Sequence, residues 1–231
     1  MGCLFDLIGL VIGLIFGRSD DKMKQALKGR TAEQQKVIKY FFESSGCFSK
    51  GLTDEEYDSM VMARAKSMDF KKKALEKIGL DESQVSEVAP IHFEDYWWGD
   101  SDKDSDKYYS LRGKDGVWRT SAYQISWIFF SSTQLYVYQY TFHMDEDGKK
   151  EKTEEYFYKD VTNFSATSDS VERETSKTSC TGKTTVMRTN VNTNRFAVIV
   201  PGDKFYCAMK QNDYTEKAIQ GMKAKLREKK G

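Results

Sequence analysis

The sequence predicts an α+β protein with antiparallel sheets, and three observations point to this class. Residues 31–80 contain three capping patterns, each followed by apolar residues at helical spacing. Residues 91–210 are rich in Tyr, Phe, Trp, Val and Thr, with turn residues at intervals, which is typical of strands. Residues 213–228 return to helical spacing. We therefore expect an apolar N-terminal helix, a small helical region, and an antiparallel β-barrel or sandwich closed by a C-terminal helix.

The composition indicates a globular chain and disfavours several classes of partner. Its 231 residues, 39% of them hydrophobic, can bury a sizeable core. With 36 Lys and Arg against 35 Asp and Glu, no overall field attracts a polyanion, so we predict no nucleic-acid binding. The 2 His and 4 Cys include no Cys-x-x-Cys pair. We therefore predict no metal site and no cofactor.

Residues 1–17 form a separate apolar segment. They are apolar except for Asp6, and a densely charged stretch begins at Arg18. As a helix the segment would be about 26 Å long, against about 30 Å for the hydrocarbon layer of a bilayer. If Asp6 stays among the headgroups, only about 16 Å remains to insert. We expect association with membrane lipids, and whether the segment spans, half-inserts or is cleaved stays open.

Within this segment Gly9, Gly13 and Gly17 recur every four residues, which places them on one face of a helix. The stripe resembles the glycine zippers of membrane-associating helices, in which small residues let two backbones approach. Together with Leu7 these glycines are the predicted membrane-association residues, and they allow a homo-oligomer through the N-terminal helix. The alternative is that the glycines only make a flexible anchor.

The charges that flank the apolar segment predict the side on which the rest of the chain lies. Residues 18–30 hold five Lys and Arg against two Asp, which by the positive-inside tendency predicts a membrane-associated protein whose globular part is cytoplasmic. No Lys or Arg precedes the apolar run, and no small-x-small cleavage site follows it closely, so a secretory signal is disfavoured. An exported protein of unknown activity is the alternative.

Residues 18–90 are predicted to be helical. Thr31 with Gln34 and Thr53 with Glu56 have the spacing of capping boxes. Asp69 is placed to cap a third helix, which should end before Gly79. We expect three short amphipathic helices whose Met and aromatic residues form an ordinary core.

Residues 91–231 are predicted to form a β-rich domain. The strand between residues 134 and 142 alternates so that Tyr136, Tyr138, Tyr140 and Phe142 share one face. Turn tips are expected at residues 114–116 and 147–148. The predicted strands cover residues 91–98, 108–112, 117–130, 134–144, 153–166, 171–177, 184–191, 195–200 and 204–210, and a helix capped by Asp213 follows them.

Part of this domain resembles a known family. The stretch Tyr-Lys-Asp-Val-Thr-Asn-Phe at residues 158–164 follows a predicted hairpin, and a run of strands is closed by one amphipathic C-terminal helix. This pattern is similar to the bacterial pleckstrin-homology-like (PH-like) domains, over about residues 117–231. The resemblance implies binding of a protein partner or a membrane without a fixed catalytic site.

Four basic residues near a predicted hairpin are candidates for contact with an anionic surface. They are Lys177, Lys183, Arg188 and Arg195. Cations at a charged membrane contribute on the order of 1 kcal/mol each. The alternative is that these are scattered solubilising charges.

The sequence offers only weak candidates for catalytic residues. Cys47, Cys180 or Cys207 could pair with His92 or His143 in a thiol-dependent hydrolase, but no spacing selects a pair, so we predict no catalytic residue. The acidic loop at residues 100–106 leaves calcium binding open. The sequence thus favours a non-catalytic membrane-associated binding or scaffold protein that recognises an unknown protein partner or an anionic lipid surface.

Overall fold

The computed structural model describes residues 22–43, 51–100, 108–178 and 184–230. Residues 22–27 are helical and precede the named elements. The helices are α1 (Ala32–Glu43), α2 (Asp54–Lys66), α3 (Phe70–Ile78) and α4 (Asp213–Lys230), with a 3₁₀ turn at Glu82–Val85. The strands are β1 (Val88–Tyr96), β2 (Ser110–Arg112), β3 (Trp118–Thr120), β4 (Ala122–Phe130), β5 (Gln134–His143), β6 (Lys149–Phe157), β7 (Asn163–Thr178), β8 (Thr184–Val200) and β9 (Asp203–Ala208).

The predicted caps of α1, α2 and α3 are confirmed. The Thr53 hydroxyl accepts a hydrogen bond from the Glu56 amide, and the Glu56 side chain accepts one from the Thr53 amide, so both halves of the capping box at α2 are present. The same reciprocal pair joins Thr31 and Gln34 at α1. α3 ends at Gly79, which adopts a left-handed conformation with φ of 76°. These caps satisfy backbone groups that the helix ends leave without partners.

The central sheet has four antiparallel strands in the order β1-β4-β5-β6. The hairpin β4–β5 is the one predicted from the sequence, and its register pairs Ala122 with His143 and Phe130 with Leu135. A short hairpin, β2–β3, is inserted before β4. Its tip is the predicted turn at residues 114–116, where Gly116 has φ of 82°.

The aromatic face of β5 lies under the helices. Tyr138 and Phe142 are buried against side chains of α1 to α3, including Val37, Val61 and Phe70. Alternation places every second residue of a strand on one face, so the predicted aromatic stripe becomes the floor of a helix-covered core. The prediction that the aromatic residues of the helices form an ordinary core is confirmed for Tyr57 and Phe70, which are buried in the same cluster.

An ion-pair cluster around a buried arginine ties α2 to the β2–β3 hairpin on this helical side. The guanidinium of Arg119, whose side chain is 3% exposed, donates to Asp58 Oδ1 at 2.7 Å and to Asp115 Oδ2 at 2.7 Å. Tyr40 donates its hydroxyl to Asp54 Oδ1 at 2.8 Å, and the amide of Lys114 donates to the other oxygen of Asp54 at 2.6 Å.

The opposite face of the central sheet is covered by the second sheet, which has the order β7-β8-β9, and by α4. Ile128 and Val137 of the central sheet meet Phe196 and Phe205 of the second sheet. Ile219, Met222 and Leu226 of α4 belong to the same core. The predicted docking of the C-terminal helix on its apolar stripe is therefore observed.

Neutral polar groups are buried between the two sheets. Gln139, 4% exposed, donates from Nε2 to the carbonyl of Tyr206 at 2.7 Å. Gln124, 2% exposed, donates to Thr141 Oγ1 at 3.1 Å and accepts from the amide of Ala208 at 2.7 Å. These bonds join β4 and β5 to β9 without any charged group.

The structure corrects several predicted details. The chain is α+β with antiparallel sheets, but the strands of the described residues form open sheets and no closed barrel. β1 pairs with β4, so a unit that started at residue 117 would omit one strand of the central sheet. The predicted strand 153–166 is broken, because the chain turns at residues 158–162 to bury Tyr158, Val161 and Phe164 between the sheets.

Two further corrections concern β8 and α4. The predicted strands 184–191 and 195–200 form one continuous strand, β8. The residue that caps α4 is Asn212 rather than Asp213, since Asn212 Oδ1 accepts from the amide of Thr215 at 3.0 Å and the Asn212 amide donates to the Thr215 hydroxyl at 3.0 Å. Asn and Asp are equally good caps, so the pattern alone misplaced the helix start by one residue.

Within the described ranges, no helix has both the length and the apolar character that crossing a bilayer requires. The apolar segment at residues 1–17 lies outside those ranges.

Candidate anion-binding site

The predicted membrane-association residues lie outside the described part of the chain. These are Leu7, Gly9, Gly13 and Gly17. Lys183 also lies outside it, and Lys177 is described only as a backbone position near the end of β7, opposite Thr185.

The two other predicted basic residues do not form one patch. Arg188 and Arg195 are seven positions apart on β8, where the pairing with β7 continues without a bulge. An odd separation puts their side chains on opposite faces of the strand. Arg188 pairs with Glu172 at 3.6 Å, and Arg195 lies over the ring of Tyr206, 5.9 Å from its centroid.

The thiol and imidazole candidates are not assembled into a nucleophile and base in the described residues. Cys207 is fully buried between the sheets, and burial raises the pKa of its thiol to about 12, which is opposite to what a thiolate nucleophile needs. His92 stacks on Trp127, with ring centroids 5.0 Å apart. Cys47 and Cys180 lie outside the described ranges.

The acidic loop is described only at Asp100. This carboxylate accepts from the indole nitrogen of Trp97 at 3.0 Å and pairs with Lys150 at 2.5 Å. In the part of the chain that the structure covers, no three His, Cys, Asp or Glu side chains are placed to hold a metal ion.

The strongest candidate site is on the second half of α4. Residues 223–230 contain five Lys and Arg and one Glu. Lys223, Arg227 and Lys230 follow one another at spacings of four and three, so they share one flank of the helix. Among the described residues, none of these three cations has a carboxylate within salt-bridge distance.

The other flank of the same helix is neutralised. Lys225 Nζ lies 2.7 Å from Glu87 Oε1 and 2.9 Å from Glu228 Oε1, and Lys229 Nζ lies 3.1 Å from Glu87. The two lysines hold the pKa of Glu87 below its usual range, because they donate to its carboxylate and are positively charged. The positive charge that remains on α4 is therefore concentrated on the flank of Lys223.

This flank borders an open groove of about 400 Å³ between α4 and the start of β7, which we call the basic groove. Leu226, 6% exposed, is the apolar residue of its lining. The polar residues Thr162 and Asn163 line the β7 side, and Lys223, Arg227 and Lys230 line the helix side. The groove thus combines three cations with a hydroxyl and an amide, which are donors suited to phosphate or carboxylate oxygens.

The basic groove is not predicted by the sequence pattern. The pattern predicts α4 and its apolar stripe, but Lys and Arg at a helix C-terminus are also expected for interaction with the helix dipole. The excess of cations after residue 222 was the available signal. What the sequence could not show is that Glu87, far away in the chain, neutralises only one flank.

Comparison of the chain with protein-family models, curated proteins and solved structures gave no match.

Proposed function

We propose that this protein is a non-catalytic, membrane-associated binding protein whose globular part rests on an anionic lipid surface through the basic groove. The apolar segment at residues 1–17 would insert in the membrane, and the groove would contact lipid phosphates or carboxylates beside it. Of the two recognition classes that the sequence leaves open, this proposal takes the lipid surface rather than a protein partner.

The observation that carries the proposal is the uneven pairing of charges on α4. Two lysines on one flank share Glu87, whereas Lys223, Arg227 and Lys230 on the other flank have no acidic partner in the described residues. Each cation close to an anionic membrane contributes about 1 kcal/mol. Three together would contribute about 3 kcal/mol, or about a hundredfold in affinity.

The similarity to bacterial PH-like domains is part of the same proposal. What favours it is the chain order, in which strands β4 to β9 are followed by a C-terminal helix, and the burial of Tyr158, Val161 and Phe164 from the stretch that resembles the family. A fold of this kind would present loops and helix ends to a partner without requiring a catalytic centre.

The test measures binding of the full chain to two kinds of vesicle, phosphatidylcholine alone and phosphatidylcholine mixed with phosphatidylserine. The triple variant Lys223→Gln, Arg227→Gln and Lys230→Gln removes the cations of the groove. We expect it to lose most of the preference for anionic vesicles while it still binds neutral ones, because the apolar segment is unchanged.

A matched control removes three exposed cations on the helical side, Lys36, Lys39 and Lys66. This variant has the same net charge as the first but keeps the basic groove, so it should retain the preference for anionic vesicles. If both triple variants lost the preference for anionic vesicles to the same extent, that preference would depend only on the net charge of the protein. No preference for anionic vesicles in the unmodified chain would refute the lipid proposal and favour a protein partner.

A further inference from the structure

β7 and β8 form a long ribbon that extends past β9. Their pairing runs from Asn163–Ile199 to Thr178–Thr184, whereas β9 pairs only with Arg195–Val200 of β8. Over residues 184–194 the outer edge of β8 faces no other strand among those described. Apart from the Asn194 carbonyl, which accepts from the amide of Met209, this edge presents a row of backbone donors and acceptors that no described strand pairs with.

The hydrogen bonds at the base of the ribbon identify the backbone groups that point outward. The carbonyl of Asn194 accepts from the amide of Met209, on the β9 side, and the carbonyl of Ile199 accepts from Thr162, on the β7 side. Backbone groups of successive residues alternate between the two edges of a strand. Since no bulge interrupts β8, the amides and carbonyls of Arg188, Asn190 and Asn192 point to the open edge.

The two edges of the ribbon differ in their protection. Natural edge strands avoid unwanted pairing through charged residues, proline or bulges. β7 contains five charged residues, whereas residues 184–194 of β8 contain one, Arg188, with no proline and no bulge. That single charge is already paired with Glu172. The β8 edge is therefore the one that is suited to accept another strand.

We propose that the β8 edge at residues 184–194 pairs with the same edge of a second copy of this chain. Two identical strands that pair in antiparallel orientation are related by a two-fold axis. Each copy therefore contributes the same edge to the interface. If the residues whose backbone groups point outward pair with one another, two registers are possible. Asn190 lies opposite Asn190 of the second copy in one register and opposite Asn192 in the other. In these registers Arg188 faces Asn192 or Asn194 rather than another Arg188, so like charges do not oppose each other.

The side chains agree with this arrangement. Val191 and Thr193, 2% and 3% exposed, point into the molecule, so a second copy would not need to cover them. Arg188, Asn190 and Asn192 are exposed on the other face. A paired strand would leave these polar side chains in solvent and would add mainly backbone hydrogen bonds.

The test measures the mass of the full chain in detergent by sedimentation equilibrium over a range of protein concentrations. We expect a concentration-dependent dimer. The variant Asn190→Lys with Asn192→Lys places like charges opposite each other in either register, so its dimer dissociation constant should rise by about tenfold or more.

The matched control places the same two charges on the neighbouring strand, as Ala166→Lys with Ser170→Lys. Both residues are exposed, and Ser170 lies directly across the hairpin from Asn192. This control should dimerise like the unmodified chain. A second variant, Asn190→Pro, removes one outward amide without touching the bonds to β7, and it should weaken the dimer while the circular dichroism spectrum is retained.

Hydrogen exchange separates this interface from association through the apolar segment. We expect the amides of Arg188, Asn190 and Asn192 to exchange more slowly as protein concentration rises. The proposal is overturned if the chain is monomeric at every concentration, or if the dimer is unaffected by Asn190→Lys with Asn192→Lys. A dimer that is weakened by Gly13→Ile alone would have the same consequence.

Discussion

Helices α1 to α3 pack on one face of the central sheet, the second sheet and α4 pack on the other, and the polar contacts of the two sides differ in kind. The helical side is joined by ion pairs centred on Arg119, with Asp58 and Asp115 as its partners. The sheet side is joined by neutral amides, chiefly Gln124 and Gln139. Both sides have aromatic cores, so the effects of mutation and pH on charged and on neutral polar contacts can be compared within one molecule.

The largest effect is expected from Arg119→Ala. Removal of the guanidinium breaks its charge-assisted hydrogen bonds to Asp58 and Asp115, and such bonds contribute about 1.5–3 kcal/mol each. Because the two carboxylates are 42% and 37% exposed and regain water, we expect a total loss of about 3 kcal/mol. Urea denaturation of the full chain in detergent measures the loss. Arg112 is an exposed residue of β2 whose side chain donates to the carbonyl of Gly116, so the control variant Arg112→Ala should cost less than about 1 kcal/mol. Equal losses in the two variants would show that the cluster adds nothing specific.

A smaller effect is expected from Gln139→Ala on the sheet side. The change leaves the carbonyl of Tyr206 without its amide donor and opens a small cavity, at a cost of about 1–3 kcal/mol. Gln220→Ala, exposed on α4, should be nearly neutral. If Gln139→Ala proved as costly as Arg119→Ala, the distinction between charged and neutral sides would fail.

The two sides should also respond to acid in opposite directions. Asp95 lies at the end of β1, and burial raises its pKa to about 6 against the opposing effects of the Tyr96 amide and Lys210. An acid with a raised folded pKa costs stability when ionised, so the fold gains stability as pH falls from about 7 to about 4. On the helical side, hydrogen bonds from Arg119 lower the pKa of Asp115 to about 2, so its stabilisation is present above about pH 4 and is lost as pH falls toward 2.

Asp95→Asn tests the first half of this contrast. The variant should be more stable than the unmodified chain at pH 7 by about 1–2 kcal/mol, and this difference should shrink by pH 4. Burial also raises the pKa of Asp145, but that residue is common to both proteins and does not affect the difference between them. Asp169→Asn, exposed on β7, is the control. If the difference in unfolding free energy between Asp95→Asn and the unmodified chain were the same at pH 7 and pH 4, Asp95 would not titrate in this range.

Local patterns allowed much of the fold to be predicted. The capping box of α2, the N-cap of α3 and the end of α3 each depend on hydrogen bonds between residues at most four positions apart. All three predictions, at Thr53 with Glu56, Asp69 and Gly79, are confirmed. The alternation of Tyr136 to Phe142 identified the aromatic face of β5, which packs under the helices. These features depend on backbone periodicity and capping, which a single sequence displays directly.

Features that depend on residues far apart in the chain were not predictable in the same way. The chain turn after Phe157 is determined by burial of Val161 and Phe164 under the other sheet, and strand propensity carries no information about that. The basic groove depends on Glu87 meeting Lys225, 138 positions away. The four basic residues predicted near the β7–β8 hairpin were chosen by nearness in sequence, and the alternation of β8 separates Arg188 from Arg195.

Attachment to a membrane through residues 1–17 is the central claim, and fractionation after a salt wash tests it most directly. The full chain and a chain that lacks residues 1–17 are expressed, and their membranes are washed in about 1 M salt, which screens the contacts of the basic groove. We predict that the full chain stays in the membrane fraction, whereas the shortened chain is released with an unchanged thermal transition. Recovery of the full chain in the soluble fraction without detergent would contradict the account.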